Sequence, residues 1–368
     1  MKVAAVADVH LGNFRKFGGA ETAGLNDRCR AVLAALGASV VTARERGSEV
    51  FLVAGDLFDN DAPPPQLVAA VQDILAKAKE TMEVVLLVGN HDQKSTTPGD
   101  HALGPFREWA TIVDKPTVLM RGGAHILCLP YDPRPAVEWF AATVDEFCAT
   151  APVDLLAVHL GIMDDNTPPW LRDARDAVSA QLVLAKMKEH DIRWGVAGNW
   201  HNHAAWGDEP SRPNLVQCGA LVPTGWDNEG VDGYGGLVLF DGPNVAAEVI
   251  PGPRFVKVRN ASELKKAEKR AKSLRCSLYV RFTADPELLG EATAELDAAR
   301  ARSVVLDGEA EADGKLVAAA ARTAAHGARK AETLDEALAA FVGSMPLDDD
   351  LDREEVRALC AGYLGGGR

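Results

Sequence analysis

The chain has no cysteine pair that could staple a loop or hold a zinc knuckle. Its six cysteines (Cys29, Cys128, Cys148, Cys218, Cys276 and Cys360) are scattered, with no CxxC spacing. That usage fits free thiols in a reducing compartment, not a disulfide frame. No stretch approaches the roughly 20 apolar residues of a membrane span. Residues 1–7 form too short an apolar run for a signal peptide and end at Asp8. A cytoplasmic protein with no membrane partner is the expectation. A basic surplus is also missing: 39 Lys/Arg stand against 53 Asp/Glu, for a net charge of −14. A wholesale cationic surface for nucleic acid is therefore excluded, and only a local patch could serve.

Apolar residues make up 47% of the 368, enough for a substantial core and for one large domain with one or two smaller ones. The run Val84-Val85-Leu86-Leu87-Val88 stops at Gly89-Asn90-His91-Asp92. It reads as a strand buried on both faces, with its polar cluster at the C-terminal end, where open α/β sheets place their ligands. Gly89 would let the backbone turn there without a Cβ clash.

The pattern recurs. Residues 2–7 end in Asp8-Val9-His10, residues 49–54 in Gly55-Asp56, and residues 153–158 in His159; Val196-Ala197 lead to Gly198-Asn199-Trp200-His201-Asn202-His203. Amphipathic helices are expected over 25–46, 67–80, 135–150 and 179–190, and further strands over 124–130, 214–222 and 236–240. Residues 13–28 read as a polar, mobile loop. The first half thus reads βαβαβ, an α/β fold with a parallel sheet and helical crossovers. Asp8 and His10 alternate with Val9, so an extended backbone turns both to one face, where a carboxylate and an imidazole can chelate a divalent metal.

After Pro251-Gly252-Pro253 the character changes. Strands are expected over 255–258, 277–282 and 303–306, with a helix over 262–274. Asp285 and Pro286 open another helix, and Thr333 with Glu336 and Asp352 with Glu355 mark two later ones. The expected division is 1–250, 254–310 and 311–368. From Arg254 to Arg281 ten Lys/Arg face only Glu263 and Glu268, a local balance of +8. Lys265, Lys266, Lys269 and Arg270 on the helix are candidates for phosphate-backbone contact, with Arg15 and Lys16 in the early loop. A solvated helix face is the alternative.

Five of the nine histidines (His10, His91, His159, His201 and His203) lie just past expected strands, beside Asp8, Asp56 and Asn90. Together these motifs resemble those of the calcineurin-like metallophosphoesterases: DxH, GD, GNH(D/E), a lone His and GHxH. The resemblance implies a four-layer α/β sandwich with a smaller α/β capping domain, and two divalent metals bridged by Asp56. One metal would take Asp8, His10 and His203, the other Asn90, His159 and His201, leaving His91 as the acid at the leaving oxygen. Trp200 stands where that reading of the last motif needs a glycine. Mixed nitrogen and oxygen ligation suits manganese, iron or zinc, with Mn2+ the expectation. Asp59 occupies the position of the purple acid phosphatase tyrosine, which argues against that branch. Within the superfamily the line from Gly47 to Asp59 and the basic appendix are most similar to the SbcD-type nuclease subunits. That similarity implies a DNA nuclease of repair or recombination that acts with an SbcC-like ATPase, in a homodimer or with that partner. A small-molecule phosphodiesterase or phosphatase is the alternative.

Overall fold

A computed structural model describes residues 2–14, 20–207, 213–225, 235–259, 261–273, 277–282 and 303–306. Arg15 and Lys16, and the helices expected after Asp285, Thr333 and Asp352, lie outside the described residues. Residues 1–312 form one compact unit and 313–368 a second; every described residue belongs to the first.

Two six-stranded mixed sheets make its centre. In the first the order is Asn244–Glu248, Leu237–Asp241, Lys2–Val6, Val50–Val53, Glu83–Leu87 and Thr111–Val113, the last four running parallel. In the second it is Ala204–Trp206, Leu215–Gln217, Trp194–Gly198, Leu155–His159, Ala124–Leu129 and Thr117–Arg121, with the middle four parallel.

The period-2 alternation of the strands sorts their side chains into layers. Val3, Ala5, Leu52 and Val85 face Ile126, Ala157, Val196 and Val216 of the other sheet, in an apolar layer between the two. Ala4, Val6, Phe51, Val53 and Leu86 pack instead against the helices Asp27–Glu45 and Pro65–Lys79. On the far side Leu127, Leu156 and Val158 pack against Ala136–Cys148 and Ala180–Glu189. Each sheet is covered on both faces, which is why its central strands read as unbroken apolar runs. The order helix, sheet, sheet, helix is the expected four-layer α/β sandwich.

Local chemistry sets the helix ends. Asn26 caps the first helix by accepting from the Cys29 N–H, Pro65 opens the second, and Ser179 caps the fourth through the Leu182 N–H. Within the loop expected over 13–28, Glu21–Thr22 and Leu25–Asn26 pair as a hairpin. Its two-residue turn, Ala23 and Gly24, has φ of 53° and 76°, the primed-turn geometry. Sequence patterning also missed the short strands Thr111–Val113, Thr117–Arg121, Ala204–Trp206 and Asn244–Glu248. All are edge or near-edge strands with partly exposed residues, and so lack the continuous apolar signal.

Beyond residue 252, Pro253–Val258, Ser277–Phe282 and Ser303–Leu306 form a three-stranded parallel sheet, with Ala261–Ser273 as the crossover helix between the first two.

Candidate metal centre

The C-terminal ends of five central strands, three from the first sheet and two from the second, converge at one edge of the sandwich. Asp8, His10 and Asp56 have φ of 49°, 47° and 50°, and Asn199 has φ of 93°. A non-glycine residue in this left-handed region costs about 1–3 kcal/mol and persists only where the surroundings hold it. Four such residues within one cluster mark a place where geometry is kept at the expense of local stability. The backbone is locked by Val9 and His10 N–H donating to the Asp56 carbonyl at 2.9 and 3.1 Å.

Asp56 lies between two groups. Its Oδ2 is 3.7 Å from His10 Nε2 on one side and 3.5 Å from His159 Nε2 on the other, while its Oδ1 accepts the His91 backbone N–H at 2.9 Å. On the first side the Nε2 atoms of His10 and His201 face each other at 2.9 Å, and the Asp8 carboxylate joins them. On the second, His159 donates from Nδ1 to the Ala54 carbonyl at 2.8 Å, which turns its Nε2 toward Asn90 Oδ1 at 3.0 Å. A neutral imidazole that has donated from Nδ1 offers only a lone pair at Nε2. His159 Nε2 and the Asn90 amide thus face each other as potential ligand atoms. The donor set therefore fits divalent metals at two adjacent positions with Asp56 between them.

The electrostatics agree. Burial pushes the Asp8 carboxyl up to about 6, in spite of His159 and His10. Burial would also raise Asp56, but His159, His10 and His91 hold it well below the usual carboxylate range. Burial pulls His159 down, yet the Asp56 carboxylate, with Asp8, lifts it to about 9.

His91 stands apart. It is exposed, its ring lies edge-on to His10 with centroids 4.7 Å apart, and Nδ1 donates to the Asp59 carbonyl at 2.8 Å. That bond leaves Nε2 as the ring nitrogen not engaged by Asp59.

The last motif falls in a different register from the one read in the sequence. Gly198, not Trp200, ends the strand and pairs with His159. A Cβ at Gly198 would lie 2.2 Å from the Ala54 carbonyl and 2.9 Å from Ala7 Cβ, so only glycine fits there. The frame Gly-His-x-His therefore runs Gly198-Asn199-Trp200-His201. His201 joins Asp8 and His10 rather than Asn90 and His159, and Trp200 packs over the Gly161 backbone. His203 is not brought into any of these groups; its Nδ1 donates to the Cys218 carbonyl at 3.1 Å. Similarly, Gly89 is needed less for a turn than for space, because a Cβ there would lie 2.1 Å from Asp56 Oδ1.

Several residues support these groups. Asp92 is fully buried and accepts the N–H groups of Phe58, Gly89 and Leu57 at 3.0, 3.1 and 3.3 Å, tying the GD turn to the GNH turn. Thr224 Oγ1 bonds His201 Nδ1 at 3.1 Å, and the buried Arg28 donates to the Thr224 carbonyl. Asp59 faces His10 Nδ1 at 3.6 Å.

Of the cationic candidates, Lys265, Lys266, Lys269 and Arg270 are exposed on their helix. Arg254, counted in the same cluster, is 0% exposed and donates to the Ile250 and Pro253 carbonyls at 2.8 and 3.0 Å, so it cannot reach a phosphate. Among the described residues no helix is long and apolar enough to cross a membrane.

Comparison with known proteins gives one decisive likeness. No curated protein matches the chain. Among solved structures it is similar to TT1561 of Thermus thermophilus, with 14% identity over 67% of this chain and 98% of that one and a TM-score of 0.42. It is also similar to the nuclease MPE of Pseudomonas putida, with 25% identity over 44% of this chain and 64% of that one and a TM-score of 0.25. For a dimetal phosphatase from Danio rerio the figures are 13%, 61%, 89% and 0.35. These scores are too low to carry an argument about activity. The pattern of the calcineurin-like phosphoesterases, however, matches residues 1–218, well over half of the chain and all of the strand ends that carry the cluster. The chain belongs to the calcineurin-like phosphoesterase family, metal-dependent hydrolases built on a dinuclear divalent centre.

Proposed function

We propose that this hydrolase is a DNA nuclease that cleaves phosphodiester bonds with a two-metal-activated water, Mn2+ being the favoured ion. Asp8, His10 and His201 would hold one metal, Asn90 and His159 the other, with Asp56 shared between them. Metals bound there would polarise the phosphoryl group and lower the pKa of a bridging water. The chain's own residues do the rest. Asp56 supplies a carboxylate to both sides, and Asp92 holds the two turns that carry Asp56, Asn90 and His91 in register. His91, anchored through Nδ1 to the Asp59 carbonyl, offers Nε2 to the leaving oxygen as hydrogen-bond donor or acid.

The observation that carries the DNA reading is the helix Ala261–Ser273. In a chain of net charge −14, it exposes Lys265, Lys266, Lys269, Arg270 and Lys272. A small-molecule enzyme has little use for such a row, whereas a phosphate backbone does. A partner ATPase of the SbcC kind and a homodimer fit the same role, with repair or recombination as the setting.

The test compares labelled single- and double-stranded DNA with a chromogenic phosphodiester, in Mn2+ and in Mg2+. We expect DNA cleavage that is much faster with Mn2+, because three imidazoles in the ligand set suit it better than an ion that keeps its waters. Hydrolysis of the small diester alone would support a small-molecule phosphodiesterase instead.

A further inference from the structure

We infer that Arg28 is a positioning residue for His201, acting through Thr224, and that the sheet beyond residue 252 reaches the metal centre through Phe255 and this arginine. The inference rests on the reading of His201 as a metal ligand.

Arg28 is the second residue of the helix Asp27–Glu45, and it is buried. Neither circumstance favours a cation. Burial strips its water and pulls its pKa below the ordinary value, against the pull of Tyr279 and Asp59. The first turn of a helix also disfavours positive charge. An apolar side chain would fill such a space at lower cost, so packing alone does not account for an arginine there. Its guanidinium is held by rings from two distant stretches of the chain. The Cζ atom lies 4.0 Å from the ring centroid of Phe14 and 5.4 Å from that of Phe255, both within reach of cation–π attraction. Phe14 lies four residues past His10, and its carbonyl accepts from Asn26 Nδ2 at 2.6 Å. Phe255 lies on the strand Pro253–Val258 and stacks on Tyr279 of the strand Ser277–Phe282, with centroids 4.8 Å apart.

So placed, Arg28 donates to the Thr224 carbonyl, and Thr224 Oγ1 lies 3.1 Å from His201 Nδ1. A His201 ring that donates from Nδ1 to this hydroxyl keeps a lone pair on Nε2, the atom that faces His10. A hydrogen bond of this kind fixes both the tautomer and the ring orientation of a metal-ligating histidine. Thr224 belongs to no strand or helix, so its place depends on side-chain anchors, and Arg28 is one. Tyr279, Phe255, Arg28, Thr224 and His201 thus form a line of contacts from the appended sheet to the metal centre. That sheet then helps to shape the metal position, besides carrying the helix Ala261–Ser273 between its first two strands.

The experiment titrates the metal-stripped full chain with Mn2+ by calorimetry, with the metal-free Tm measured beside it. His201→Ala identifies the equivalent that His201 holds. Thr224→Val removes the hydroxyl but keeps the carbonyl and the volume. Arg28→Met keeps an unbranched stem without the charge, and Phe255→Leu alters the line outside the site. We expect the His201 equivalent to weaken by about 10–100-fold in Thr224→Val and in Arg28→Met. Phe255→Leu should weaken the same equivalent by a smaller factor, and the other equivalent should be unchanged throughout. In the His201→Ala background none of the three should change Mn2+ affinity further, whereas a general loss of stability would act in both backgrounds. Wild-type affinity in Thr224→Val or in Arg28→Met would overturn the positioning role. Equal weakening with and without His201 would make Arg28 a residue of the fold alone and overturn it too. If Arg28→Met does not fold, Arg28→Lys, which keeps a cation at the rings but not the planar fork, is judged by the same criteria. An unaffected Phe255→Leu would overturn the link to the appended sheet. Wild-type Mn2+ binding by His201→Ala would instead overturn the reading of His201 as a ligand, an outcome distinct from the others.

Discussion

At the scale of single residues the site separates groups that hold charge from groups that act on substrate. His91 is exposed and bonds the protein only through its backbone N–H and Nδ1, whereas His10 and His159 are buried against Asp56. His91→Ala should therefore retain both metals by elemental analysis yet slow hydrolysis by about 10²–10⁴-fold, the usual worth of a positioned acid or base. Metal loss in that variant would make His91 a ligand and sink the division of roles. Asp92 is a different case. Burial and the nearby Asp56 charge push its carboxyl up to about 7, against the pull of the Phe58 and Gly89 N–H groups. Three N–H donors nevertheless need an acceptor at that spot. Asp92→Asn would turn an NH2 toward at least one of them, and a buried donor left without a partner costs about 1–3 kcal/mol. The expected outcome is a Tm lowered by several degrees in the metal-free and metal-loaded protein alike; an unchanged Tm would mean that the two turns hold without it.

At the scale of elements, much of the frame was legible because the central strands are short, apolar and bounded by glycine and charge. The strand ends carrying Asp8, His10, Asp56, Asn90 and His159 could be read for the same reason. The register of the last motif could not. Both Gly198-Asn199-Trp200-His201 and Trp200-His201-Asn202-His203 end in a histidine, and only the contact of Gly198 with Ala54 decides between them. Thr224 was invisible because its partners, His201 and Arg28, lie far along the chain. The helix Ala261–Ser273 belongs to the readable class, since Leu264 and Ala271 are buried and its lysines are exposed. Reversing charge at Lys265, Lys266, Lys269 and Arg270 should leave the fold and small-diester hydrolysis intact. DNA affinity should fall, and the log–log salt slope should shrink by roughly 0.9 for each phosphate no longer neutralised. An unchanged slope would make the row a solvated face. Substitution is a cleaner test than truncation near Pro251, because Phe255 stacks on Tyr279 with centroids 4.8 Å apart and Arg28 lies 5.4 Å from the Phe255 ring.

At the scale of the whole molecule, folding brings together charges that repel without a metal. The sandwich closes only when strands from both sheets carry Asp8, Asp56, His10 and His159 into one buried cluster, so stability and metal binding are linked. The sign follows from His159. Its ordinary value is 6.5 and its folded value about 9, so the folded state binds the extra proton. The stabilisation from that proton is complete below about pH 6.5 and is lost as pH rises through about 9. Asp8, raised from 3.8 to about 6, acts in the same direction at lower pH, its contribution being gone by neutrality. The metal-free protein should therefore lose stability steadily between about pH 6.5 and about pH 9. A divalent ion competes for the same Nε2 lone pair, so its apparent affinity should climb over that range as the proton leaves. Thermal melts at a series of pH values, with chelator and with Mn2+, separate the two effects. The chelated Tm should fall with rising pH while the increment given by Mn2+ grows. A chelated Tm that stays level while the increment also stays level would mean that His159 carries no proton in the metal-free fold, and that the cluster is held by contacts other than the charge of Asp56.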